Sequence, residues 1–557
     1  VKLAVAVWLS LASSVLSAAQ VARGSGGAVA AAEENAARAG IEILKKGGNA
    51  ADAAVAVAFA LAVTWPEAGN LGGGGFWISR DARGRVLTFD FREMAPRAAR
   101  RDLFHPAAGG GSAPSSTEGP LASGVPGSVA GLALAHRRAG RLPWKSVVDP
   151  AVRLARDGFV MTQGVSDSIT ETRERLSADP ETAHIFLPGG APPAPGTVWR
   201  QKDLARTLEA IRDLGEDGFY RGRVARAFAD GQKAAGGLIS RGDLARYEAK
   251  VRPPVRFEFQ GLQIITTSAP SSGPVLAEMA LVATLAGVDK LRGNDASSAH
   301  WLSEIEKRAF RDRNRYLGDP EFGGVRQRLF TDPVRLREVA SSINPHRSTP
   351  SEQLGLGDSE RPTTTHFSVI DRQGMAVSMT TTLNDSFGNA RVAPGLGFLM
   401  NNEMDDFATR PGQKNMYGLV QGEVNAVGPG KRMLSSMCPS IAVARGKNVL
   451  VWGTPGGSTI PTTNLQVLLN RVLRRDPLDS AVAAPRFHQQ DLPDAIQIER
   501  GHFDAAWIDA LQKMGHTIAE RGAIGRVHAI AVESDGTLTA VADPRGAGAA
   551  LVVRASP

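Results

Sequence analysis

One stretch, residues 364–384, constrains this chain more than any other. From Thr364 to Ile370 and again from Met375 to Leu383 the residues alternate in character and are rich in β-branched types, which predicts two strands. Arg372, Gln373 and Gly374 join them, and the glycine suits the left-handed position of a three-residue hairpin loop. Pairing Asp371 with Met375 sets the register: His366 opposes Thr380, Ser368 opposes Ser378 and Thr364 opposes Thr382, with opposed side chains on the same side of the sheet. That side is polar. The other carries Phe367, Val369, Val377, Met379 and Leu383 and is expected to pack on a core. A β-bulge would shift the pairing by one residue.

The 557 residues, 43% hydrophobic and 22% charged, are enough for one large domain or a few ordinary ones of a soluble globular protein. The net charge is +8 and the pI about 9.7, yet the arginines are scattered and no basic run interleaves with aromatics, so nucleic acid is not an expected partner. Lys2, the apolar run Leu3–Leu16 and the small residues Ser17, Ala18 and Ala19 have the layout of a secretory signal peptide over residues 1–19. The run is shorter than the ~20 residues that span a bilayer. Export to the periplasm or the medium, without stable membrane insertion after removal of the signal, is therefore expected. Cys438 is the single cysteine, so there is no internal disulfide and stability must come from the core. The histidines show no metal-ligand spacing, and neither a metal nor an organic cofactor is expected.

Along the chain, Ala28–Lys46 reads as an amphipathic helix ended by Gly47 and Gly48, and Ala50–Val63 as a more buried helix stopped at Trp65-Pro66. Gly72–Gly75 lead into a strand at Phe76–Ile78, a loop in which backbone can approach backbone or ligand closely. No Lys-Ser/Thr pair follows and a strand comes next, which speaks against a phosphate loop. His105–Gly124 and Leu187–Gly196 are expected to be surface loops, with helices at Val129–Ala139 and Ser146–Asp157. The polar stretch Asn344–Pro362 lacks periodicity and ends just before the hairpin. Beyond it, Ile441–Val451 and Arg526–Val541 read as strands, and Ile460–Arg474 and Phe503–Met514 as helices. Such segregation favours sheet layers covered by helices.

A threonine hydroxyl is a poor nucleophile unless a base lies beside it, and a free N-terminal amine is one such base. Cleavage between Thr363 and Thr364 would place the new amine of Thr364 next to its own Oγ1, with a pKa near neutrality. Taken alone, a run of threonines is far more often strand filler.

The segment Thr364–Gly374, continued through Thr380–Asn384 to Phe387-Gly388, closely resembles the signature of the gamma-glutamyltranspeptidase family. Further blocks resemble that family in the same order: Gly47–Ala54, Gly69–Phe76, Phe91–Glu93, Gly124–Gly127, Leu399–Phe407, Leu434–Met437 and Pro455–Ser458. The resemblance implies an N-terminal nucleophile hydrolase of α+β class, a four-layer αββα sandwich with two stacked antiparallel sheets between helical layers. It implies a proenzyme that cuts itself before Thr364 into a large subunit, residues 20–363, and a small subunit, residues 364–557, which stay together as a heterodimer. Thr364 would attack first the Thr363 carbonyl and then the γ-amide of glutathione or related γ-glutamyl compounds, passing the acyl group to water or to an amino-acid or peptide acceptor.

By the same resemblance Thr382, which the register also places opposite the nucleophile, would hydrogen-bond the Thr364 oxygen or amine. Backbone N–H groups at Gly456 and Gly457 would stabilise the oxyanion. Arg92 would bind the substrate α-carboxylate, helped by Ser435 and Ser436, while Asn384, Glu403 and Asp406 accept from the α-ammonium. Some relatives have Gln where Glu403 stands. Pro411–Gly418 resembles a lid loop with Tyr417 as its shielding aromatic, a loop that related cephalosporin acylases tend to lack or shorten. Two departures stand out: Met375 occupies a place usually held by Ser or Asn, and Cys438 follows the serine pair, either as a packing substitution or as an oxidisable thiol. A glutaryl-cephalosporin acylase, a γ-polyglutamate depolymerase and a non-catalytic exported binding protein on the same scaffold remain as alternatives.

Overall fold

The computed structural model describes residues 18–106, 110–351 and 364–554. The predicted hairpin forms the centre of a seven-stranded antiparallel sheet. In spatial order its strands are Ala549–Val552, Gly27–Ala31, Thr365–Asp371, Ala376–Thr382, Gly74–Arg80, Val86–Asp90 and Lys250–Val251. A second seven-stranded sheet faces it, in the order Gln20–Gly24, Leu538–Ala542, His528–Val532, Lys447–Gly453, Ser440–Ala444, Leu262–Thr266 and Val255–Phe259.

The predicted register holds: His366 pairs with Thr380, Ser368 with Ser378 and Ile370 with Ala376, without a bulge. Gly374 takes the left-handed conformation, with φ of 86°, and the Asp371 N–H donates to the Met375 carbonyl at 3.0 Å. Phe367, Val369, Val377, Met379 and Leu383 pack outward against the helices Glu34–Lys45 and Ala50–Thr64. The second of these begins with a capping box formed by Asn49 and Asp52.

On the polar side the hairpin meets the facing sheet. Ile370 and Ala376 join Ile441, Val451, Ile530 and Ala540 in an apolar layer, and His366, Ser368 and Ser378 form a polar seam beside it. The Ser378 hydroxyl donates to the Trp452 carbonyl at 3.0 Å, and Ser368 donates to the His528 carbonyl at 3.0 Å. His366 holds Thr380 and Ser368 through its two ring nitrogens, at 2.9 and 3.2 Å. Burial, followed by the nearby His528, pushes the His366 pKa well below its usual value, so it is a neutral spacer between the sheets. Helices Gly273–Ala286, Ala296–Tyr316 and Ile460–Val472 share a core with the outer side of the facing sheet and complete the four layers.

The structure corrects the first helix. Gly27–Ala31 is a strand, paired with Thr365–Asp371 on one edge and Ala549–Val552 on the other, and the helix begins only at Glu34. Alanine favours helix locally, but these alanines lie between two strands that leave backbone groups to be satisfied, and tertiary pairing wins. Ile441–Val451 resolves into two strands turned by Arg445 and Gly446, both with positive φ, and Arg526–Val541 likewise contains two strands. Residues 1–17 of the expected signal peptide and 352–363 of the polar stretch lie outside the described residues. No helix among the described residues is long and apolar enough to cross a membrane.

The glycine loop serves backbone contact. A Cβ on Gly75 would collide with the Thr380 carbonyl, and one on Gly73 with the Thr382 carbonyl. Gly75→Ala is therefore expected to lower the unfolding free energy by about 2 kcal/mol, as over-packing does; an unchanged urea midpoint would contradict this.

Candidate active site

Thr364 lies immediately before the central strand and is 6% exposed. Its Oγ1 donates to Thr382 Oγ1 over a long 3.5 Å, and Thr382 Oγ1 also accepts the Asn384 N–H at 2.8 Å. Asn70, which the sequence reading passed over, ties down this end of the hairpin: its Nδ2 donates to the Thr382 carbonyl at 2.9 Å and to Thr381 Oγ1 at 3.1 Å.

Gly456 and Gly457 have φ of 142° and 53°, and the short helical turn that begins at Gly457 leads into the helix starting at Ile460. Both N–H groups thus stand at a positive helix end, a setting suited to developing negative charge. Gly457 lines a small pocket at Thr364, and Gly456 lines a larger cleft that also reaches Thr364.

Arg92, Asn384, Asp406, Tyr417, Ser435 and Ser436 also line the small pocket, whose free volume is only about 10 Å³. Arg92 is fully buried and ion-pairs with three carboxylates: Glu403 at 2.6 Å, Glu93 at 3.3 Å and Asp406 in closer contact still. Glu403 contacts Arg92 without lining this small pocket, and Arg92 is engaged by the acids expected to meet the other charged group of the substrate. Their proximity is physically apt, since α-carboxylate and α-ammonium hang from one carbon and need neighbouring receptors.

The serine hydroxyls are set to donate. Ser435 Oγ accepts from the Met437 N–H at 3.2 Å, and Ser436 Oγ accepts from Arg313 Nη2 at 3.1 Å, which leaves both protons to the pocket. Arg313 is the principal residue that sequence reasoning missed. Its helix, Ala296–Tyr316, carries several arginines and no quoted motif, so no local pattern distinguished it. Buried and bonded also to Ser272 Oγ and Asn314 Oδ1, it has its pKa drawn down to about 10 by burial against the pull of Asp406.

Tyr417 closes the pocket. Its hydroxyl donates to Asn384 Oδ1 at 2.6 Å and lies 2.8 Å from the Asn384 carbonyl, while its own carbonyl accepts from Gln490 Nε2 at 2.8 Å. Phe310 and Leu419 pack around it. Asn384, with φ of 80°, therefore has one lone pair of its amide oxygen already occupied. Met375 lies at the turn end of the hairpin, remote along the strand from Thr364. Cys438 is fully buried, its thiol pushed up to about 12 by desolvation, which keeps it an inert packing group.

Two large antiparallel sheets between helices, with a threonine at the head of a central strand, define an N-terminal nucleophile hydrolase. The family model described as "Gamma-glutamyltranspeptidase" matches residues 36–553. A glutathione hydrolase proenzyme of Escherichia coli is 42% identical over 528 residues, covering 94% of this chain and 91% of that protein. Among solved structures, a cephalosporin acylase from Bacillus halodurans superposes with a TM-score of 0.85 at 25% identity, covering 96% of this chain and 97% of that one. A gamma-glutamyltranspeptidase chain from Pseudomonas nitroreducens, complexed with L-DON, is 41% identical with a TM-score of 0.55, covering 59% of this chain and 97% of that one. The chain belongs to the gamma-glutamyltranspeptidase family. It is a self-processing enzyme of the gamma-glutamyltransferase type.

Three buried carboxylates around one guanidinium cannot all be ionised cheaply. Burial, opposed by Arg92, lifts Glu93 to about 7, raises Glu403 well above its usual value and raises Asp406. Protonation of the cluster is therefore favoured over that of free carboxylates, and its negative charge grows as pH rises. For a donor bearing an α-ammonium, KM is expected to fall as pH rises through about 7, whereas a glutaryl amide, lacking that group, should show no such fall. Parallel pH profiles for the two donors would contradict this. Replacing Arg313 by Gln is expected to raise KM about tenfold for a γ-glutamyl anilide but little for the analogue lacking the α-carboxylate, a contrast steady-state kinetics would reveal.

Proposed function

We propose that the enzyme cuts itself between Thr363 and Thr364 and then transfers the γ-glutamyl group of glutathione and related γ-glutamyl amides to water or to amino acids and peptides. Residues 20–363 and 364–557 would form the large and small subunits of a heterodimer. Residue 363 lies outside the described residues. The Pseudomonas nitroreducens chain, matched over 97% of its length by 59% of this one, supports a first fragment of about this extent.

The observation that carries the reading is the position of Thr364 where a small charged pocket and a larger cleft meet, beside Thr382 and the paired glycines. In the acylation step Thr364 Oγ1 would attack the γ-carbonyl while its own amine takes the hydroxyl proton. The Gly456 and Gly457 N–H groups would hold the oxyanion, and the amine would return the proton to the leaving nitrogen as the C–N bond breaks. Water or an acceptor amine then repeats the sequence on the ester. Arg92 with Ser435 and Ser436 would receive the α-carboxylate. Asp406 and Asn384 would receive the α-ammonium, with Glu403 tuning the charge of Arg92 from behind. Tyr417, on the pocket wall and bonded to Asn384, would cover a bound donor.

The likeness to a cephalosporin acylase gives a second reading, glutaryl transfer on the same fold. Asp406 on the pocket wall favours a substrate with an ammonium instead. For location, the apolar run Leu3–Leu16 followed by small residues supports export to the periplasm or the medium.

Thr364→Ala is expected to remain a single uncut chain and to release no anilide from γ-glutamyl anilide. The unsubstituted protein should yield a fragment whose N-terminal sequence starts at Thr364. Equal processing and equal turnover by both would refute the assignment.

A further inference from the structure

The larger cleft, which shares only Thr364 with the charged pocket, has a volume of about 660 Å³, within the range of small-molecule sites. Its walls carry opposite charge. Glu67, Asp167 and Glu171 come from the part of the chain before Thr364, while Arg500, Arg521 and Arg526 come from the part after it. Glu67 is 4% exposed and is held by Ser168 Oγ at 2.7 Å and Arg526 Nη1 at 3.0 Å, so the end of the cleft next to Thr364 is built and rigid.

The three arginines differ in how far their charge is already met. Arg526 is paired with Glu67, and the exposed Arg500 reaches Glu520 at 3.4 Å. Arg521 donates only to a neutral group, Gln497 Oε1 at 2.6 Å, and no ion pair to it occurs among the described residues. The carboxylate facing it across the strand pair, Glu499, is already held through both oxygens by Arg545, so a half-buried guanidinium with charge to spare lies on the wall of a cleft that reaches Thr364, a site for an anion.

Geometry decides which anion. With the glutamyl carbon chain in the small pocket, the bond broken at the carbonyl points the other way, into the cleft. The leaving amine therefore departs through the cleft, and an acceptor amine that attacks the ester must arrive by the same route. Its nitrogen forms the new C–N bond, the C–Oγ1 bond of Thr364 breaks, and the amine proton returns to Oγ1 through the Thr364 amine.

We infer that this cleft is the subsite for leaving group and acceptor, and that Arg521 gives it a preference for peptides ending in a free carboxylate. The inference rests on the reading of Thr364 as nucleophile. The acidic wall disfavours a second anionic group on that side, so the cleft orients a peptide with its carboxylate toward the arginines.

The test uses the processed enzyme with γ-glutamyl anilide as donor and either glycylglycine or glycylglycinamide as acceptor, compared at equal concentration of free amine. The amide should show an acceptor KM about tenfold higher, the scale of one lost charged hydrogen bond. In Arg521→Gln the two values should come within about twofold of each other. The comparison in the unsubstituted enzyme needs no variant and stands even where substitution disturbs folding. Equal KM values there, with anilide still released, would overturn this inference alone. A contrast that persists in Arg521→Gln would overturn the assignment to Arg521. Absence of any anilide release would overturn the nucleophile reading and this inference with it.

Discussion

Everything at this site depends on the backbone ladder that holds both edges of the strand Thr365–Asp371. That strand is paired with Ala376–Thr382 on one side and with Gly27–Ala31 on the other, so the residue before it has little freedom of its own. Threonine adds to this, because its branched β-carbon leaves few side-chain rotamers. Thr382 is fixed in turn by its pairing with Gly74 and by Asn70 on its carbonyl. Thr364 and Thr382 are thus set by main-chain geometry, and the side chains around them need only refine the contact. The glycines at 73 and 75 follow from the same demand, since they let the adjoining loop lie directly against carbonyls of the hairpin.

The charged pocket obeys a different economy. Arg92, Glu93, Glu403 and Asp406 are all buried, and desolvating so many charges stabilises a fold weakly if at all. Hydrophobic residues of the same volume would serve packing as well. The arrangement makes physical sense as a receptor for a zwitterion, where a cation and an anion sit on one carbon and each meets its complement within a few ångströms. Arg313 extends the same logic outward: it holds Ser436 as an acceptor, and in the proposed binding mode the serine proton would be left for an incoming carboxylate. Closure of Tyr417 over this space keeps water out and makes each charge count for more than it would in solvent.

Much of this was legible in the sequence where a local rule governs. The hairpin register follows from period-two alternation and one glycine turn, and the close-approach loop from consecutive glycines. The strand Gly27–Ala31 was not legible, because alanine has no strand signature and the segment is extended only on account of its neighbours in the sheet. Arg313, Gln490 and Arg521 were missed for a related reason. Each acts through a partner far away in sequence, Ser436, Tyr417 and the cleft respectively, and nothing beside it in the chain marks the contact. Glu403 falls in the Arg92 cluster that motif order predicts, although motif order does not carry its few-ångström setback from the lining of the small pocket.

The ladders also explain why a chain of this fold can be cut at its nucleophile and remain whole. Strands from before and after Thr364 share both sheets and meet along several ladders. Gln20–Gly24 pairs with Leu538–Ala542 and Leu262–Thr266 with Ser440–Ala444 in one sheet. In the other, Gly27–Ala31 pairs with both Ala549–Val552 and Thr365–Asp371, and Gly74–Arg80 pairs with Ala376–Thr382. Separating the two pieces would expose these ladders and the apolar layer between the sheets to water together, at a cost no single peptide bond offsets. The proposed cleavage before Thr364 would therefore change the chemistry of one residue, turning an amide nitrogen into a base, while the scaffold that positions it would stay in place.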